Sequence, residues 1–201
     1  SSNLGICLAE TGRKVLIIDA DFRRPRIHSI FGLPNELGLG QVLTEWATME
    51  SKTELPGIHA TEYPGLSVFV NGSEVDDLSR VLHSKRFENL LSRLRKEYDI
   101  ILIDAPPILQ IADTRVIDHL ADGVMLVLRS GVTDRKRALE AYRCLHEDGA
   151  NIIGTILNDW QPARKRTDEY YGYMRDPKAP AWKRTAGEEH SYASTTWEQD
   201  K

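Results

Sequence analysis

Two aspartates, Asp19 and Asp21, close the aliphatic run Val15-Leu16-Ile17-Ile18, and a third, Asp104, closes a second aliphatic run at 100–103. An acid placed directly after a buried strand is costly unless something positive meets it, because a buried unpaired charge is strongly disfavoured. A divalent cation with its waters meets that need, and oxygen ligands suit Mg2+. Asp19 and Asp21 would point to one side if the extended conformation persisted past Ile18. Helix caps or loop acids are the competing reading for any one such residue, but two strands ending alike weigh against it. Arg23, Arg24 and Arg26 follow at once, and Arg129 ends another apolar run. Arginine clamps phosphate in bidentate fashion, so the cluster suits a phosphate ligand. Taken singly, Arg24, Arg26 and Arg129 read as solvated side chains. Ala105-Pro106-Pro107 keeps the chain extended as it leaves Asp104.

These residues need elements to hold them. Leu4, Cys7 and Leu8 share one face of a helix over 3–10, and Gly12 suits the left-handed turn after its end. The run 15–18 is short and continuously apolar, the mark of a strand buried on both faces. A looser region over 22–64, rich in proline and glycine, holds one short helix near 41–48. A strand is expected at 66–70, with a turn at Asn71-Gly72. Phe87, Leu90, Leu91 and Leu94 fall at i, i+3, i+4 and i+7 of a helix over 84–98. Then come a strand at 100–103, a helix at 113–120, a strand at 124–128, a helix at 134–147 and a strand at 152–157. This alternation predicts an α/β fold, a parallel sheet covered by helices on both faces. Ligands of such sheets bind at the carboxyl ends of the strands, where all three aspartates lie.

Composition narrows the function classes. Of 201 residues, 41% are hydrophobic and 28% charged, which excludes collagen-like, mucin-like and wholly disordered chains. No apolar run approaches the roughly 20 residues of a membrane helix. The net charge of -4 gives no reason to expect nucleic acid. Cys7 and Cys144 are too few for a disulfide framework and read as free thiols of a reducing cytosol. The six histidines are scattered without metal-ligand spacing, so a structural zinc site is not expected. From Asn158 onward there is no Leu, Ile, Val or Phe, though Trp160, Tyr170, Tyr171, Tyr173, Trp182, Tyr192 and Trp197 all lie there. Such a segment buries too little apolar surface to offset its ordering entropy, so 159–201 is expected to be a mobile, disordered tail behind a core at 1–158.

The motifs carry a resemblance. Leu16-Ile17-Ile18-Asp19-Ala20-Asp21-Phe22-Arg23 resembles the second Walker motif (A′) of the bacterial tyrosine kinases of capsule and exopolysaccharide synthesis. Ile101-Leu102-Ile103-Asp104-Ala105-Pro106-Pro107 is similar to their Walker B. Arg24-Pro25-Arg26-Ile27-His28, Phe31-Gly32-Leu33-Pro34-Asn35 and Gly38-Leu39 match their linker after A′. Asp122-Gly123-Val124 and Gly154-Thr155-Ile156-Leu157-Asn158 match their later strands, and Tyr170-Tyr171-Gly172-Tyr173 resembles their autophosphorylated C-terminus. The likeness runs over nearly all of 1–173, with order, spacing and linker in agreement.

The resemblance implies a P-loop NTPase-like, mostly parallel sheet and an ATP-dependent protein-tyrosine autokinase with ATP and Mg2+ as cofactors. Asp19 would help activate the tyrosine hydroxyl near the metal, while Asp21 and Asp104 would hold Mg2+ largely through water. Arg23 belongs to the A′ signature, and Asn158 would contact adenine as in the wider ParA/MinD-like ATPases, unless it is only a turn residue with Asp159. Tyr170, Tyr171, Tyr173 and Tyr192 would accept phosphate. The implied partners are a transmembrane chain-length determinant or co-polymerase, fused upstream or separate, further copies of the kinase in a ring, and protein tyrosine substrates. The implied place is the cytoplasmic side of the inner membrane. A ParA/MinD-like switch without kinase activity, or a non-catalytic relative, are the alternatives.

Two departures stand out. Val70-Asn71-Gly72-Ser73-Glu74-Val75-Asp76-Asp77 replaces a stretch that is proline-rich in the family. No Gly-x-x-x-x-Gly-Lys-Ser/Thr phosphate loop occurs in the sequence. In the family that loop lies a few residues before the position of Asn3, so this chain, opening without Met, is expected to be a piece cut just past it, lacking the preceding central strand.

Overall fold

The computed structural model describes residues 1–75, 81–82, 84–111 and 114–161. Strand β1 (Val15–Asp19) is buried along its whole length. It lies between β3 (Leu66–Phe69) and β4 (Ile100–Asp104), parallel to both, and β2 (Ile58–Ala60) adds an antiparallel edge on β3. Alternation along β1 sends Leu16 and Ile18 to one face and Val15 and Ile17 to the other. The first pair packs with Leu39, Leu43, Phe69, Phe87 and Leu90, the second with Ala9, Leu66, Val68 and Val70. Two apolar faces are why the run is continuous rather than alternating.

Helix α1 (Ser2–Ala9) covers the second face. The first face is covered by α3 (Leu39–Thr44), α4 (Trp46–Met49) and α5 (Lys85–Leu94); between β1 and α3 runs a single helical turn, α2 (Ile27–Ile30). The helix expected near 41–48 is thus two short helices broken at Glu45. Ser84 caps α5, its hydroxyl accepting from Arg86 N at 3.3 Å, and Phe87, Leu90, Leu91 and Leu94 are all buried. The helix stops four residues before the expected end. Past Leu94 the backbone closes in turns instead, with Lys96 N donating to Arg93 O and Glu97 N to Leu94 O. Strand β2 was not expected; three residues, Ile58-His59-Ala60, carry too little pattern to read.

The second part of the fold contains α6 (Thr114–Leu120), β5 (Val124–Arg129), α7 (Arg135–Glu147) and β6 (Ile152–Asn158). Asp134 caps α7, accepting from Arg137 N at 2.8 Å, and β5 pairs with β6 in parallel. The α/β class holds, but the single expected sheet does not. Sheet β2-β3-β1-β4 ends at β4, and β5-β6 is a separate pair. Between β4 and β5 lies a largely apolar cavity of about 640 Å³, lined by Ile101, Ile103, Met125 and Val127 among others. Among the described residues no helix is long and apolar enough to cross a membrane.

Candidate functional site

Parallel pairing of β1 and β4 sets Asp19 directly opposite Asp104 at the carboxyl ends of both strands. The sequence dictates this: each run of aliphatics ends in its acid, and the register aligns the two ends. Asp19 is fully buried. Its Oδ2 accepts the backbone N–H groups of Arg26 at 3.1 Å and Ile27 at 3.0 Å, and its Oδ1 that of Asp21 at 3.3 Å. Burial pushes the Asp19 carboxyl up to about 6; the Ile27 N–H pulls it back, the Asp104 charge adds to the rise, and the Asp21 and Arg26 N–H groups oppose it.

Asp21 sits differently from the extended arrangement considered for it. Strand β1 ends at Asp19, so the alternation that would align the two carboxylates stops there. Asp21 instead receives the N–H groups of Arg23 at 3.1 Å and Arg24 at 3.0 Å on its Oδ1, forming its own tight turn. Arg23, Arg24 and Arg26 are exposed beside it. Asp104 is half-buried and accepts a hydrogen bond from the Ser1 hydroxyl. Beyond it, buried Pro106 is fixed by the Thr114 hydroxyl, which donates to the Pro106 carbonyl at 3.2 Å.

The donors at these strand ends are carboxylate oxygens, hard ligands that suit Mg2+. Among the described residues no three His, Cys, Asp or Glu side chains converge as a direct metal-ligand set. A cation here would therefore keep several waters, as Mg2+ does. Asn158 ends β6 opposite Arg129 in the β5–β6 ladder, apart from the Asp19–Asp104 pair in sequence and sheet, and its side chain is exposed. Tyr170, Tyr171, Tyr173 and Tyr192 lie outside the described residues.

One site residue escapes a reading of the sequence. Asn71, 3% exposed, donates from its side-chain amide to the Asp19 carbonyl at 3.1 Å. Asn-Gly after a strand signals a turn and nothing more; the partner lies 52 residues away.

A family model described as an AAA domain matches residues 1–133. The tyrosine-protein kinase YwqD of Bacillus subtilis is 33% identical over 172 residues, covering 86% of this chain and 70% of its own. The tyrosine-protein kinase ptk of Acinetobacter johnsonii is 34% identical over 80% of this chain, which spans only 21% of that longer relative. Among solved structures, the chimerical protein CapA2B2 superposes with a TM-score of 0.73 at 30% identity, over 80% of this chain and 69% of that one.

Proposed function

Because this chain belongs to the bacterial tyrosine-protein kinase family, we propose that its α/β core transfers phosphoryl groups from ATP to tyrosine hydroxyls. The observation that carries this reading is the pairing of Asp19 with Asp104 at the carboxyl ends of two neighbouring parallel strands. Phosphoryl transfer asks mostly for positioning and charge neutralisation, and MgATP supplies the phosphoryl group and the cation when bound. Asp21 and Asp104 would hold Mg2+ largely through water. Asp19, pushed up to about 6, is a stronger base than an ordinary aspartate and accepts the proton of the attacking hydroxyl. Its oxygens are held by three backbone N–H groups, so the base cannot swing away. Arg23 belongs with this end of the sheet by its place in the A′ signature, and Asn158 with the adenine.

The acceptors we assign are Tyr170, Tyr171, Tyr173 and Tyr192, presented to other copies assembled in a ring. A transmembrane co-polymerase, fused upstream or separate, places the kinase at the cytoplasmic side of the inner membrane, where it regulates exopolysaccharide or capsule polymerisation and export.

The sequence has no Gly-Lys-Ser/Thr phosphate loop, so the test uses the complete gene product. The four tyrosines are changed together to Phe and phosphotyrosine is read after incubation with MgATP. Loss of the signal supports the assignment, whereas an undiminished signal removes these tyrosines as acceptors. ATP hydrolysis with no phosphotyrosine in the unaltered protein would instead favour a ParA/MinD-like switch. Failure to bind ATP at all would make it a non-catalytic relative.

A further inference from the structure

Pairing of β1 with β3 ends at Ile18 opposite Phe69. One residue further, the β3 side of β1 has no strand to donate to the Asp19 carbonyl, and a buried carbonyl without a donor is costly. Asn71 fills the place with its side chain, Nδ2 standing 3.1 Å from Asp19 O. We propose that Asn71 is a positioning residue that fixes the Asp19 peptide, and through it the carboxylate opposite Asp104. This deepens the reading of Asp19 as the base and rests on it.

An amide can position only if its own backbone is held, and here it is held from the far side. The Asn35 side chain exchanges two hydrogen bonds with Gly72, donating from Nδ2 to Gly72 O at 3.0 Å and accepting Gly72 N on Oδ1 at 2.9 Å. The N-terminus of α3 donates Leu39 N to Val70 O and Gly40 N to Asn71 O, both at 2.9 Å. Gln41 accepts Gly38 N at 3.0 Å and donates to Ser73 O at 2.9 Å. The two backbones press so close that a Cβ on Gly38 would stand 2.3 Å from Gly72 N and 2.4 Å from Val70 O. Gly72 itself has φ of 92°, a conformation other residues rarely take. The turn at 70–73 is therefore clamped to the start of α3, and the Asn71 amide reaches from that clamp to Asp19.

Asp19 is thus gripped on both sides of its Cα. The N–H groups of Arg26 and Ile27 hold the carboxylate, and Asn71 holds the carbonyl. Without the second grip the peptide between Asp19 and Ala20 is held on one edge only, where Ala20 N donates to Asp104 O at 2.9 Å, and the Asp19 backbone can tilt and shift its carboxylate relative to Asp104. Binding of ATP, which depends on other groups, should change little. The signature of positioning is accordingly a fall in kcat at constant KM.

The test uses the complete gene product carrying Asn71→Leu, which keeps the volume and removes the donor, and Asn71→Ala. Leu145→Val, a buried truncation in α7, serves as a stability control. Both Asn71 variants are expected to lower kcat for phosphotyrosine formation at least tenfold with KM for ATP unchanged within twofold. Hydrogen exchange at the amides of Ala20 and Asp21 should accelerate at least tenfold. The control should lower Tm and leave kcat and both amides within twofold of wild type. A folded Asn71→Leu protein with wild-type kcat, or one changed in KM alone, overturns the proposal. If the unaltered protein forms no phosphotyrosine, the kinase reading fails by itself. The exchange rates then decide whether Asn71 holds Asp19, and unaltered exchange refutes it. Should Asn71→Ala not fold, Asn71→Leu alone decides.

Discussion

Asp19 stands opposite Asp104 in register, each the last residue of its strand, on neighbouring strands that run the same way. Two acids so placed repel one another, and the fold tolerates them because backbone N–H groups hold one while the other keeps partial exposure. A cation between them would relieve that repulsion.

That arrangement sets a pH dependence of stability. Asp19 titrates in the native protein at about 6, against an ordinary value of 3.8. The folded state therefore holds its proton where the unfolded chain has lost it. The Asp19 contribution is most favourable below pH 3.8 and is lost as pH rises through about 6. Asp19→Asn removes the dependence. In urea unfolding between pH 4 and pH 7, the variant should gain stability relative to wild type as pH rises, and a constant difference would contradict the burial of this carboxylate.

Asp104→Asn removes the neighbouring charge while keeping the shape. The Asp19 carboxyl should then titrate lower, because Asp104 is one cause of its rise; carboxyl carbon NMR of the two proteins measures the shift directly. In the complete gene product, phosphotyrosine formation should fall by about 10²–10³, the size of effect seen when one electrostatic stabiliser of a transition state is removed. The apparent Mg2+ requirement should rise with it. Activity unchanged in Asp104→Asn would remove it from the metal site.

The acids at the strand ends were legible because pattern and chemistry coincide: an aliphatic run demands burial, and an acid at its end contradicts burial unless something answers it. The helix at Phe87, Leu90, Leu91 and Leu94 was legible for the same reason, since its spacing names its face. Asn71 was not, because its task depends on where β3 stops pairing with β1, which only the folded register defines. The turn of Asp21 was hidden likewise: two residues after a strand, alternation and a side-chain turn are equally open to the sequence. The division into two sheets left no mark on Ile100–Asp104 or Val124–Arg129, whose aliphatic runs read alike whether or not a neighbour is present.

Asp118 on α6 is 6% exposed, and among the described residues neither carboxylate oxygen accepts a hydrogen bond, His119 Nε2 standing 4.0 Å from Oδ1. Burial holds its carboxyl above the usual range, with His119 opposing and Asp148 adding to the rise. An unsatisfied buried group costs about 1–3 kcal/mol, and replacing it by an apolar residue of similar shape recovers part of that. Asp118→Leu should therefore stabilise the chain by about 1 kcal/mol at neutral pH. The gain should shrink as pH falls and the native carboxyl takes up its proton. Denaturant unfolding at two pH values checks both the sign and the trend.

Gly38→Ala should destabilise by about 1–3 kcal/mol, the usual cost of forcing an extra methyl into a packed site. The atoms it meets are backbone, Gly72 N and Val70 O, which cannot rotate aside as a side-chain tip would. Thermal unfolding of the variant measures this, and a Tm equal to wild type would mean that the α3 clamp is loose enough to admit a methyl group.

Strand β4 ends one sheet and β5 ends the other, and both face the same apolar cavity. A parallel strand with an unpaired side is a template: its N–H and C=O groups can accept any extended chain that arrives, including an identical one. Soluble proteins usually guard such borders with lysine, proline or a bulge, but Ile100–Asp104 carries none of the first two along its length, its prolines coming only at 106 and 107. An extended segment entering that cavity would find pairing groups on β4 and on β5 at once, and a lysine at Leu102 or Ile101 should hinder its entry.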